Sequence, residues 1–140
     1  MSSYMLDPYV EWALGTIEAP LYAPAGGSNF MSYRSLSQAI EGALLRGEPG
    51  KAYLVGDETI SFAAYLNLFF EAVGNPVRLE ERDEAHPIFP DEIMVQGRGN
   101  WIRYEPDADE AALLGYVRDD VANGVAEAVA AFHTSRDTTM

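Results

Sequence analysis

Cysteine is absent from all 140 residues, which excludes disulfides, thiolate nucleophiles and cysteine-ligated metal sites together. Lysine occurs once, at Lys51, and the 9 basic residues are outnumbered by 22 acidic ones. The resulting net charge of −13 repels nucleic acid and anionic lipid surfaces, so neither is expected as a partner. No apolar run approaches the roughly 20 residues that span a bilayer, and the first dozen residues show no basic region followed by an apolar one. The cytoplasm is therefore the expected compartment. No serine sits in a Gly-x-Ser-x-Gly elbow, which leaves covalent acyl chemistry without a nucleophile. His86 and His133 lie 47 residues apart with no paired-ligand spacing, so no metal site is expected.

What is present reads as one small globular domain. Apolar residues make up 48% of the chain, enough for a sizeable core. The expected fold is α/β, a small α+β-like single domain with short strands and four to five helices, over residues 1–134, followed by a disordered tail at 135–140. Residues 5–14 suggest a short helix with Asp7 as cap and Pro8 in its first turn. Pro20, Pro24 and the Gly26-Gly27 pair mark a long loop. Leu36, Ala39, Ile40, Ala43 and Leu44 recur at helical spacing, with Ser32 or Ser35 as cap and Gly47 as stop. Residues 52–55 read as a buried strand, and Gly56, Asp57 and Glu58 as a turn into a helix capped by Ser61. That helix carries Phe62, Leu66, Phe69, Phe70 and Val73 on one stripe and ends at Gly74. Residues 77–81 and 101–104 read as exposed strands, and 93–96 as a short strand or helical turn. Asp107 with Glu110 resembles a capping box, and Val121, Val125, Ala128, Val129 and Phe132 share a face of the last helix.

Three stretches together resemble a known family. Residues 29–45, NFMSYRSLSQAIEGALL, give a strand then a helix. Residues 50–74, GKAYLVGDETISFAAYLNLFFEAVG, give a strand, a polar turn and a helix. Residues 108–132 centre on Leu114-Gly115-Tyr116. In this order and spacing they are similar to the C-terminal, substrate-binding part of the extended short-chain dehydrogenase/reductases, the NAD-dependent epimerase/dehydratase group. The departures are as telling. No Gly-x-x-Gly-x-x-Gly phosphate loop stands between a strand and a helix, and no Tyr-x-x-x-Lys pair occurs. Arg34 and Ser35 occupy the positions of the family's acidic pair. No cofactor is therefore expected on this chain.

The resemblance implies that loops of this part close over a substrate. By position it nominates Tyr22, Ser28, Asn29 and Arg34 from the first long loop, and His86 and Arg98 from the irregular middle stretch. Hydroxyl, amide and guanidinium groups in such a cleft suit a small oxygenated or anionic ligand. Trp101 and Tyr104, with Phe89 and Ile93, are candidates to cover an apolar pocket or an interface, core packing being the plainer role. His86 is the acid–base candidate, with Asp83, Glu84, Asp91 and Glu92 near in sequence to orient it. His133, at a helix C-terminus, is explained by the helix dipole alone. The leading expectation is a non-catalytic or partner-dependent small-molecule-binding module. In the family this part leans on a nucleotide domain, so without it apolar helix surface should be covered by a homodimer or a separate chain. One alternative is a stand-alone, cofactor-independent isomerase, lyase or cyclase using His86, which requires a carboxylate within hydrogen-bond reach of its ring. The other is a structural or regulatory interaction protein without ligand.

Overall fold

The computed structural model describes residues 4–94 and 96–138. Among the described residues, five α-helices and four short strands form one α+β unit: α1 (Asp7–Leu14), β1 (Tyr22–Pro24), β2 (Gly27–Phe30), α2 (Tyr33–Arg46), β3 (Glu58–Ser61), α3 (Phe62–Ala72), β4 (Glu80–Arg82), α4 (Ala108–Leu114) and α5 (Val121–Thr138). The strands make two separate two-stranded sheets. β1 pairs parallel with β4, Tyr22 opposite Glu80, and β2 pairs antiparallel with β3, Gly27 opposite Ser61. None of the described helices is long and apolar enough to cross a membrane.

The main core lies where α3 meets α1 and α5. Phe69 and Phe70 of α3 are fully buried, with Leu66 on the same face. They pack with Val10 and Trp12 from α1 and with Val125, Val129 and Phe132 from α5. The Trp12 and Phe70 rings meet edge to face at 5.1 Å, an arrangement aromatic quadrupoles favour. Each fully buried aromatic contributes about 2–3 kcal/mol through the water it releases. A second, smaller cluster joins Ala39 of α2 to Leu114 of α4 and Tyr116.

Local chemistry sets most helix boundaries. Ser32 and Ser61 accept hydrogen bonds from the backbone N–H groups of Ser35 and Ala64, capping α2 and α3 as expected. Asp107 accepts from Asp109 N and Glu110 N at the start of α4, and Gly115 ends that helix at φ +74. Pro8 lies in the first turn of α1, but Asp7 is inside the helix and does not cap it.

Several sequence expectations are corrected. Residues 52–55 form no strand: Tyr53 and Val55 turn toward the small cluster, Leu54 faces solvent, and the ladder begins only at Glu58. In place of ladder bonds, Tyr104 Oη donates to Val55 O at 2.8 Å, and Glu48 N donates to Tyr53 Oη at 2.9 Å. The long loop holds β1 and β2, because the Gly26-Gly27 backbone can approach its neighbours closely. Residues 101–104 contribute a single bridge from Trp101 to Gly27 in place of a strand, and residues 77–81 a strand only from Glu80, extended to Arg82. Within 93–96, Ile93 closes a 3-10 turn, Asp91–Ile93; Val95 lies outside the described residues. In the expected tail α5 continues to Thr138, and 139–140 lie outside the described residues.

A further correction concerns α2. Its inward face is the row of small residues Ser35, Ala39 and Gly42, while Leu36, Ile40 and Leu44 point outward. The reason is distance: a Cβ on Gly42 would stand 1.8 Å from Leu114 O, so α2 and α4 meet backbone to backbone. Only small side chains fit there, and the bulky row must face away.

Candidate functional site

The residues nominated from the sequence do not converge on one pocket. Of the polar residues nominated, Ser28 alone lines a cleft of about 170 Å³; Phe89 and Ile93, nominated to cover an apolar pocket, line it as well, with Phe30, Phe62, Met94 and Ile102. The Ser28 hydroxyl makes a long 3.5 Å contact with Asn29 O. Asn100, the other side chain there with strong hydrogen-bonding groups, donates to Gln96 O at 2.7 Å. The cleft therefore has apolar walls and a lightly committed hydroxyl.

Gly27 lines the cleft, and with Gly26 it lets the backbone close in beside it. Gly26 has φ +113, and a Cβ there would meet Asn100 O at 2.5 Å. At Gly27 a Cβ would enter the Trp101 ring at 2.3 Å. With side chains absent, the start of β2 can clasp the later loop: Gly27 N donates to Asn100 O at 3.1 Å and Ile102 N to Gly27 O at 3.1 Å. Trp101 thus lies against Gly27, beside the cleft, with the Arg103 guanidinium 4.0 Å from its ring centroid.

Both candidate arginines face carboxylates. Arg34 bonds Asp120 at 3.2 Å through Nε and Glu127 through Nη2. Arg98 bonds Asp91 at 3.0 Å and Asp83 at 3.3 Å, and so braces the loop that carries Met94. Each guanidinium already has two anionic partners, which leaves little net attraction for an anionic ligand.

Asn29 and Tyr22 are engaged inside the fold. Asn29 Oδ1 accepts from Asp57 N at 2.8 Å, and its Nδ2 donates to Thr59 Oγ1 and Tyr104 O. The Tyr22 hydroxyl donates to Ala85 O. His86 is 2% exposed, its ring between Trp12 and Tyr22 at 4.9 and 5.0 Å. Ile88 N donates to its Nδ1 at 3.2 Å, so the ring hydrogen sits on Nε2 and is donated to Pro20 O at 2.9 Å. Both nitrogens are thus occupied by backbone. The carboxylate that acid–base use of His86 required is replaced by two main-chain partners, an arrangement that pins residues 85–88 to the segment before β1.

A polar network that the sequence reading did not single out lies at the start of α5. Asp57, 2% exposed, accepts from Asp119 N at 2.7 Å and Asp120 N at 2.9 Å, capping the helix from a distant part of the chain. Asp119 takes a left-handed φ of +60, which turns these successive N–H groups toward one carboxylate. Arg118 Nε joins the same carboxylate at 3.3 Å. Asp120 in turn accepts from Ser32 Oγ at 2.6 Å, Arg34 Nε at 3.2 Å and Asn123 Nδ2 at 3.1 Å. The Ser32 hydrogen bond is the chief reason its carboxyl is held below the usual carboxylate range; Asn123 and Arg34 reinforce it against burial. The neighbouring Glu58 carboxyl is pushed the other way, by burial first and then by the charges of Asp57 and Asp119. In the sequence Asp57 had read as a turn residue, and no local pattern marks a cap supplied to the start of α5 from about sixty residues away.

No protein-family model matches the chain, and no curated protein or solved structure matches it.

Proposed function

We propose that the chain is a partner-dependent small-molecule-binding module, resembling the substrate-binding part of an extended short-chain dehydrogenase/reductase, and that its ligand is small and oxygenated with an apolar body. The observation that carries this reading is the cleft beside β2, where Ser28 meets walls of Phe30, Phe62, Phe89, Met94 and Ile102. Its volume of about 170 Å³ is close to that of cavities of about 150 Å³ that hold a benzene-sized molecule. A nucleotide would not fit. The pairing of Arg34 and Arg98 with acids favours a neutral alcohol or carbonyl compound over an anion. The missing phosphate loop and Tyr-x-x-x-Lys pair argue that redox chemistry would need a second chain.

Thermal unfolding with a panel of small alcohols, aldehydes and ketones, beside NAD, NADP and sugar nucleotides, tests the reading. A panel member should raise the melting temperature. Ser28→Ala should then weaken its binding about three- to tenfold, the worth of one hydrogen bond. Ile102→Trp, which fills the cleft, should abolish the shift. Strong stabilisation by NAD alone would sink the proposal, as would a panel without effect or a ligand indifferent to Ile102→Trp.

A further inference from the structure

A second cleft adjoins the first through an aromatic pair. The Phe30 and Tyr65 rings stack at 4.0 Å with 6° between their planes. Phe30 lines the cleft beside β2, whereas Tyr65 lines another, also of about 170 Å³. The two linings share no residue. Around the second, Met31 and Tyr33 come from the entry to α2, Val121 and Val125 from the first turns of α5, and Leu6 from the residue before α1. Gly124 lets α5 come up against α2 here, since a Cβ on it would stand 2.8 Å from Ser32 Cβ.

The polar groups of this cleft decide what it can hold. Ser32 is already committed: its hydroxyl donates to Asp120 at 2.6 Å and its oxygen accepts from Ser35 N at 3.1 Å. Tyr65 is not. Its hydroxyl has no hydrogen-bond partner among the described residues, and it is not sealed away from the cleft that the residue lines. The ring is fixed by Phe30 on its face and by Phe69 edge-on at 5.4 Å, so the hydroxyl is positioned but unused. Burial first, and then the neighbouring phenols of Tyr9 and Tyr33, push the Tyr65 hydroxyl above its ordinary value, so it keeps its proton and serves as a donor. Behind Ser32 stand Asp120 and Glu127 with Arg34 between them, two anions to one cation, and these surroundings disfavour a negatively charged ligand. A donor on the ligand gains less than an acceptor, because Ser32 Oγ already receives the Ser35 amide. The volume is close to that of cavities of about 150 Å³ that hold a benzene-sized molecule.

We infer that this cleft is a second small-molecule site, which takes a neutral, benzene-sized ether or ester whose oxygen accepts a hydrogen bond from Tyr65 Oη. The site goes beyond the reading above, since it is built from different residues and does not need the first cleft to be occupied. Leu6, Met31, Val121 and Val125 supply the apolar contact, and the Phe30–Tyr65 pair separates the two ligands.

Methionine-methyl NMR of the purified chain reads both clefts in one titration, because Met31 lines the second and Met94 the first. The probes are tetrahydropyran and cyclohexane, rings of one size that differ by a single oxygen. Tetrahydropyran should shift the Met31 methyl saturably and bind more tightly than cyclohexane. Tyr65→Phe keeps the ring against Phe30 and removes the hydroxyl alone. It should weaken tetrahydropyran about three- to tenfold, the worth of one hydrogen bond, and leave cyclohexane unchanged. Leu6→Trp, at a half-buried position, should fill the cleft and abolish the Met31 response with the far-UV circular dichroism spectrum unchanged. Ile102→Trp, which fills the first cleft, should leave that response intact. A Met31 methyl that does not respond overturns the proposal. So do equal binding of the two probes, a Tyr65→Phe variant that holds tetrahydropyran as tightly as the unaltered protein, and a response that Ile102→Trp removes. Since the two methyls are read separately, a silent Met31 does not count against the first cleft, nor a silent Met94 against the second.

Discussion

Two regions of this small fold are held together by opposite means. Around α3, large apolar side chains are turned inward and closed off, as Phe69, Phe70 and Leu66 show. Around α2, small residues face inward, large ones face solvent, and a small apolar cluster at Ala39, Leu114 and Tyr116 is supplemented by polar groups: the Asp57 and Asp120 network, and Arg46 donating to Leu113 O and Leu114 O at 2.6 and 2.9 Å. The first region gains from water release, which needs no particular geometry. The second depends on close approach and on directed bonds, each worth about 1 kcal/mol net but costly to leave unmade when buried. Stability is thus concentrated at α3, and exposed apolar surface at α2.

The comparison is broken most severely at Phe69. Phe69→Ala leaves a cavity where the ring is fully buried, and should lower the unfolding free energy in urea by about 3–5 kcal/mol. A loss below 1 kcal/mol would mean that the core is not centred on α3. Asp57→Ala attacks the other region. It strips the remote cap from α5 and leaves the amides of Asp119 and Asp120 without their acceptor, for an expected loss of about 2–3 kcal/mol in the same measurement. Asp57→Asn keeps one side-chain oxygen as acceptor and should recover part of it.

What the sequence made legible follows the same division. α3 and α5 could be read because burial there obeys a simple stripe: Phe62, Leu66, Phe69 and Phe70, then Val121, Val125, Ala128, Val129 and Phe132, all turn inward. Serine and aspartate caps are short-range devices, so Ser32, Ser61 and Asp107 were legible as well. α2 was legible as a helix, but not its orientation. Its small row and its bulky row share a period, and only the contact of Gly42 with Leu114 decides which faces in. The candidate site suffers from the same limit. Residue type marks His86, Asn29 and Arg34 as chemically capable, yet whether their polar atoms are already occupied depends on partners such as Pro20, Asp57 and Asp120. Those partners are set by the chain's path in three dimensions, and no spacing records them.

A smaller effect isolates the close approach itself. Gly42→Ala adds one methyl group where a Cβ would meet Leu114 O at 1.8 Å, and backbone cannot yield as a flexible side chain does. The expected loss is about 1–3 kcal/mol, despite the better intrinsic helix propensity of alanine. Exchange of the α4 amides should rise with it, while the α3 amides keep their protection. Equal loosening of both helices would show that the two regions are not energetically distinct.

The mildest test is pH, and it acts on the polar region alone. The Asp120 carboxyl, held below its ordinary value chiefly by Ser32, binds its proton less readily folded than unfolded. Its contribution to stability is therefore complete above the unfolded value of about 4, and is lost as pH falls below that and through the depressed folded value. Glu58 contributes with the opposite sign, since burial raises its folded value and folding then favours its protonated form. The total slope mixes the two, so the difference between the protein and Ser32→Ala is the quantity to read. Ser32→Ala removes the cap of α2 at every pH, a constant offset of about 1 kcal/mol. It also removes the hydrogen bond that lowers Asp120, so the urea midpoint of the variant should fall less steeply between about pH 4 and pH 2. Parallel curves over that interval would detach Asp120 from the polar bracing of α2 and leave Asp57 as the buried carboxylate that secures α5.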